Sequence, residues 1–185
     1  MLKTEQGLDP ESEAFLKRIA EQKQVLNQRV PGTKTVLVVI SARGMVYDIE
    51  SMRHKIVQAY PEAQVFFRTT LGIAVGQKSP KKVDLLIDCT GPRQRQAWFH
   101  DRALRKIARM AVGRNAGMFR KKIYDRVFDE STQEAELPRD VLARERYVQR
   151  KVFESAGVTI TQQGDVGPDR GKTIALELPP YQALS

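Results

Sequence analysis

Cysteine is all but missing from this 185-residue chain, Cys89 being the only one. A single thiol closes no internal disulfide, which suits a reducing cytoplasm. With His54 and His100 the only histidines, the soft ligands fall short of the four that a structural zinc site takes. No metal or cofactor is therefore expected. Long apolar runs are missing as well: stretches such as Val36–Ile40 and Leu85–Ile87 are far shorter than the roughly 20 residues that cross a bilayer. The opening Met1-Leu2-Lys3-Thr4-Glu5-Gln6 has no apolar core, so no signal peptide is expected.

Glycine is scarce where nucleotide chemistry needs it. A dinucleotide fingerprint places three glycines after the first strand of the fold, but only Gly44 follows Ile40. The phrase Gly167-Pro168-Asp169-Arg170-Gly171-Lys172-Thr173 imitates a phosphate loop with one residue too few between its glycines. The residues after it read as a strand where such a loop requires a helix, so it reads as a hairpin loop. His54 sits among polar neighbours and reads as solvated, His100 as a packing residue. No Ser/His/Asp or Cys/His arrangement follows from spacing.

What the chain does have is local positive charge. Thirty-one Lys and Arg face 22 Asp and Glu, a net +9. Ten bases and one acid, Asp101, lie between Arg93 and Lys122, so that segment alone accounts for the excess. Such a segment reads as a basic surface.

Hydrophobic residues at 41% and charged residues at 29% are ordinary globular usage. Asp9-Pro10 starts a helix whose apolar stripe (Phe15, Ile19, Leu26, Val30) ends at Pro31-Gly32. Thr35–Ile40 is apolar on both faces, as a central parallel strand is. A helix from about Val46 to Ala59, with Ile49, Met52, Ile56 and Val57 inward, ends at Tyr60-Pro61. Val65–Phe67 and Val83–Cys89 read as strands. A basic helix is predicted from about Arg93 to Val112, with Leu104, Ile107, Ala108 and Ala111 on one face and Arg95, Arg102, Lys106 and Arg109 on the other. Ile123–Phe128 reads as a strand and Pro138–Ala156 as a helix with Val141, Val148, Val152 and Ala156 inward. Val158–Thr161 and Thr173–Leu178 read as final strands. The alternation predicts an α/β fold: a single Rossmann-like domain over residues 33–185, its mostly parallel sheet flanked by helices, preceded by a tail and an extra helix over 1–32.

Five phrases in this order resemble the family 9 glycosyltransferases, the lipopolysaccharide heptosyltransferases. The first is Val36–Ile40 with Ser41-Ala42-Arg43-Gly44-Met45-Val46, continuing to Ala59-Tyr60-Pro61-Glu62-Ala63-Gln64-Val65. Then come Val83–Asp88, Arg114-Asn115-Ala116-Gly117-Met118-Phe119-Arg120, Tyr124-Asp125-Arg126-Val127, and Arg144-Glu145-Arg146-Tyr147. The resemblance covers about residues 34–160. It implies the first of two Rossmann-like domains, the one that binds an anionic acceptor sugar, with the donor-binding second domain lacking. It also implies a cytoplasmic place, peripheral at the inner face of the bacterial inner membrane.

One position departs from the family pattern. Where active members carry the aspartate that takes the acceptor proton, this chain has Met45, and a thioether is no general base. Asp48, three residues on, is the weak substitute. The expected function is therefore a pseudoenzyme-like acceptor domain binding an anionic glycan, lipid, phosphate-bearing ligand or protein partner, a second copy of itself included. The expected contacts are Ser41, Arg43, Gly44, Arg93, Arg95 and Arg120. Two alternatives stand beside it: an active transferase working with a separate donor-binding chain, and a nucleic-acid or membrane-surface binder using the basic helix.

Overall fold

The computed structural model describes residues 9–40, 48–70, 74–90, 97–115 and 123–160. The first helix, α1, spans Pro10–Leu26. Asp9 caps it, one carboxylate oxygen accepting the Glu11 and Ser12 N–H groups at 3.0 Å each. It ends at Asn27, short of the expected Pro31-Gly32, because Val30 turns into the core instead. There the Tyr60 hydroxyl accepts the Val30 N–H at 3.1 Å and donates to the Ala156 carbonyl at 2.5 Å.

Thr35–Ile40 (β1), Gln64–Thr69 (β2), Ala74–Val75 (β3), Val83–Asp88 (β4), Ala108–Asn115 (β5) and Arg126–Asp129 (β6) make one sheet in the order β3-β2-β1-β4-β5-β6. Every neighbouring pair is parallel except β2 with the two-residue β3. This is an α/β fold, a mostly parallel sheet flanked by helices. The helices are Ile49–Ala59 (α2), Ala97–Ile107 (α3) and Val141–Ser155 (α4).

Two apolar clusters separate the faces. Val36, Val38, Ile40, Val65, Phe67, Leu85 and Ile87 pack with Ile56 of α2 and with Val148, Val152 and Phe153 of α4. Leu37, Val39, Phe66, Leu86 and Ala111 pack with Leu104 of α3 and with Ile123 and Tyr124. Strand residues thus alternate between layers, and the central strands are buried on both sides, as their unbroken apolar runs require.

Several expectations need correction. The basic helix stops at Ile107, and residues 108–115 form β5. Ala, Arg and Met favour helix locally, but the edge of β4 would otherwise keep its backbone groups unpaired, and the ladder takes the segment. Arg109 therefore leaves the helical stripe. The charge count also overstated the surface, because acids outside the segment meet its bases. Arg105 bonds Asp125 at 2.7 Å, Arg109 lies 3.7 Å from Asp84, and Arg114 is buried between Glu130 and Glu145. The strand expected over Ile123–Phe128 is shorter, Arg126–Asp129. Val57 and Val141 are exposed rather than inward, and Phe153 is buried. Val158–Ile160 pack on the core without joining the sheet. The chain from Thr161 onward, with the glycine-rich phrase and the last expected strand, lies outside the described residues.

Candidate functional site

From β1 the chain passes through α2 to β2 on one side, then returns to β4 on the other. The two crossovers run in opposite directions, so the carboxyl ends of β1 and β4 form a topological switch point, where sheets of this kind open a crevice. Registration of the strands places a row of residues there. Val39 of β1 pairs with Arg68 of β2 and with Asp88 of β4, and Asp88 pairs with Gly113 of β5. All lie two residues beyond members of the α3-side cluster (Leu37, Phe66, Leu86, Ala111), so period 2 puts the row on that face.

Asp88 is fully buried, and among the described residues it is bonded from two segments. One carboxylate oxygen accepts the Thr90 N–H at 2.9 Å and the Thr90 hydroxyl at 2.5 Å. The other accepts the Tyr124 hydroxyl in a short contact. The Tyr124 ring reaches this position by lying flat over β5, and only a residue without Cβ admits it. A Cβ on Gly113 would stand 2.9 Å from two carbons of the ring. Beside it, the Cys89 thiol is buried, and burial pushes its pKa up, Asp88 adding to the shift.

Arg114 follows Gly113 on β5. Burial opposes its charge, but hydrogen bonds to Glu130 and Glu145 outweigh burial and raise its pKa. It grips Glu145 at 2.7 Å and Glu130 through two nitrogens, and Arg144 adds a contact to Glu130 at 3.4 Å. This ion cluster ties β5, the turn Glu130–Thr132 and α4 together. Arg68 differs from it. It is half-buried, and its Nε is a buried donor that has no partner among the described residues. An orphaned guanidinium nitrogen is rare enough in a folded protein to require a reason.

Of the residues expected to form the site, Ser41, Arg43, Gly44, Arg93, Arg95 and Arg120 lie outside the described residues, as does Met45. Their sequence positions follow β1, β4 and β5 directly. Asp48, the weak base candidate, caps α2: its carboxylate accepts the Ser51 N–H at 2.9 Å. His54 is exposed and hydrogen-bonded to Gln58 at 2.9 Å, as its polar surroundings suggested. Sequence reasoning missed Arg68, Thr90, Tyr124 and the role of Asp88. The available signal was a charged residue closing each of two apolar strands, Arg68 after Val65–Phe67 and Asp88 after Leu85–Ile87.

Among the described residues no group of three or more His, Cys, Asp or Glu could hold a metal ion. Nor is any described helix long and apolar enough to cross a membrane. Comparison of the chain with protein-family models, with curated proteins and with solved structures found no match.

Proposed function

We propose that this chain is a binding domain of the heptosyltransferase acceptor type, holding an anionic, hydroxyl-rich glycan without transferring sugar to it. The observation that carries this reading is Arg68, whose Nε is an unused donor at the carboxyl edge of the sheet. A guanidinium suits a phosphate or carboxylate, because its fork of donors matches their oxygens. Arg43, Arg93 and Arg95 follow β1 and β4 in sequence.

The absence of transfer chemistry rests on two residues. Met45 replaces the proton-accepting aspartate of the resembling family, and the carboxylate of Asp48 is engaged at the start of α2. The reading carries a cytoplasmic location with it, peripheral at the inner face of the bacterial inner membrane. Free phosphate presents the same anion, and titration with inorganic phosphate separates it from a glycan. The nucleic-acid alternative is weakened, since the continuous basic helix on which it relied ends at Ile107.

Calorimetric titration of the full chain with a phosphorylated core oligosaccharide tests the proposal. Arg68→Gln should weaken binding about tenfold or more, the worth of one charge-assisted hydrogen bond, and added salt should weaken it further. Inorganic phosphate alone should bind less tightly than the glycan. Equal affinity for wild type and Arg68→Gln would reject the site. Turnover of ADP-heptose that disappears in Asp48→Asn would reject the non-catalytic assignment.

A further inference from the structure

Helix α1 contributes nothing to the core: none of its residues is buried, and Phe15, Leu16 and Leu26 are 62%, 51% and 46% exposed. A solvated helix normally turns polar residues outward, and a lone helix of this length is marginal in water. Yet it is well started, by Asp9 and Pro10. We infer that α1 is a self-association surface, through which two copies of this chain pair as antiparallel helices.

The sequence of the helix specifies that partner. Ser12, Phe15, Ile19, Gln22 and Leu26 recur at alternating steps of three and four, the spacing of a two-helix seam. Laid antiparallel about Lys17, four of the five seam positions match: Phe15 meets Ile19 of the second copy, and Ser12 meets Gln22, each twice by symmetry, while Leu26 extends beyond the start of the facing helix. Polar thus faces polar and apolar faces apolar. Parallel pairing would instead stack each residue on itself.

Charge selects the same direction. Residues 9–16 hold three acids (Asp9, Glu11, Glu13) and no base, whereas residues 17–26 hold three bases (Lys17, Arg18, Lys23) and one acid, Glu21. Antiparallel pairing sets the acidic half against the basic half and opposes the two helix dipoles. A parallel pair would place the three acids against their own copies. With only two apolar layers, the interface belongs to the small class, below about 1,200 Å² in total. Association is therefore expected in the micromolar range.

The docked body leaves α1 free to pair, because the segment after it is held down. Arg126 bonds the Gln28 carbonyl, Arg109 donates to the Pro31 carbonyl at 2.8 Å, and Thr33 donates to the Val30 carbonyl at 2.7 Å. The helix is thereby carried on a fixed base.

Sedimentation equilibrium of the full chain from low micromolar to millimolar concentration tests this. A reversible monomer–dimer equilibrium is expected, with helical circular dichroism rising as the dimer forms. Phe15→Ser and Ile19→Ser should each raise the dissociation constant about tenfold or more while the thermal midpoint of the monomer stays unchanged, since neither side chain is buried. Lys23→Glu should weaken the dimer a few-fold, and adding Glu11→Lys should restore it. A chain that stays monomeric throughout overturns the inference. So does a dimer indifferent to Phe15→Ser, or one whose strength Lys23→Glu leaves unchanged, the result of parallel pairing. Loss of binding to anionic vesicles in Phe15→Ser, with no change in association state, would assign the stripe to a lipid surface instead.

Discussion

Asp84 and Asp88 stand four residues apart on one strand, and their surroundings give them different work. At the amino edge, Asp84 accepts the Lys34 and Thr35 N–H groups at 2.9 and 3.0 Å and the Thr35 hydroxyl at 3.0 Å. Burial would raise its pKa, but these bonds, with Arg109 nearby, hold it below its ordinary value. A carboxylate depressed in the folded state stabilises the fold above its unfolded pKa, about 3.9, and that contribution is lost as pH falls through the folded value. Acid unfolding followed by circular dichroism should therefore show a shallower loss of stability below about pH 4 in Asp84→Asn than in wild type. Asp88, at the other edge, depends on the approach of Tyr124 over Gly113. Gly113→Ala should destabilise by about 1–3 kcal/mol through overpacking, measured by urea unfolding. Tyr124→Leu should relieve most of that penalty when combined with it, since the two effects share one contact. Neither arrangement was legible in the sequence. Alternation identifies a buried strand, but says nothing of which distant ring will lie on it.

Helix ends with a local chemical signature were readable, while the far ends of α1 and α3 and the strand edges were not. The cap at Asp9 and the stop at Gly157 follow from local chemistry that the sequence displays. Gly157 has φ +76°, and a Cβ there would stand 2.7 Å from the backbone of Arg29. Left-handed strain alone is worth about 1–3 kcal/mol, so Gly157→Ala should lower stability by at least that amount, read from the denaturation midpoint. The basic helix was misjudged at its far end because Ala108-Arg109-Met110-Ala111 has helical propensity while its hydrogen-bond partners lie on β4, remote in sequence. The same remoteness hid the acids that neutralise Arg105, Arg109 and Arg114. A charge count along the chain treats as surface what the fold turns inward. Burying Arg114 with two carboxylates makes each dependent on the others, so losing one partner leaves an uncompensated charge.

At the scale of the molecule, β-branched runs and their spacing sufficed for the α/β architecture and the central place of β1 and β4. The opposite directions of the crossovers, and hence the switch point between β1 and β4, emerge only from the strand order. Residues expected at the site follow β1, β4 and β5 in sequence, while Arg68, a described cation at that edge, comes from β2. Its importance rests on an unused donor, which no sequence pattern displays. Resonance mapping of the full chain during titration with a phosphorylated core oligosaccharide tests the central claim most directly. Amide shifts concentrated at residues 68–70 and 88–90, and abolished by Arg68→Gln, are the predicted result. Shifts confined to the exposed side of α3, with residues 68–70 and 88–90 unmoved, would contradict it.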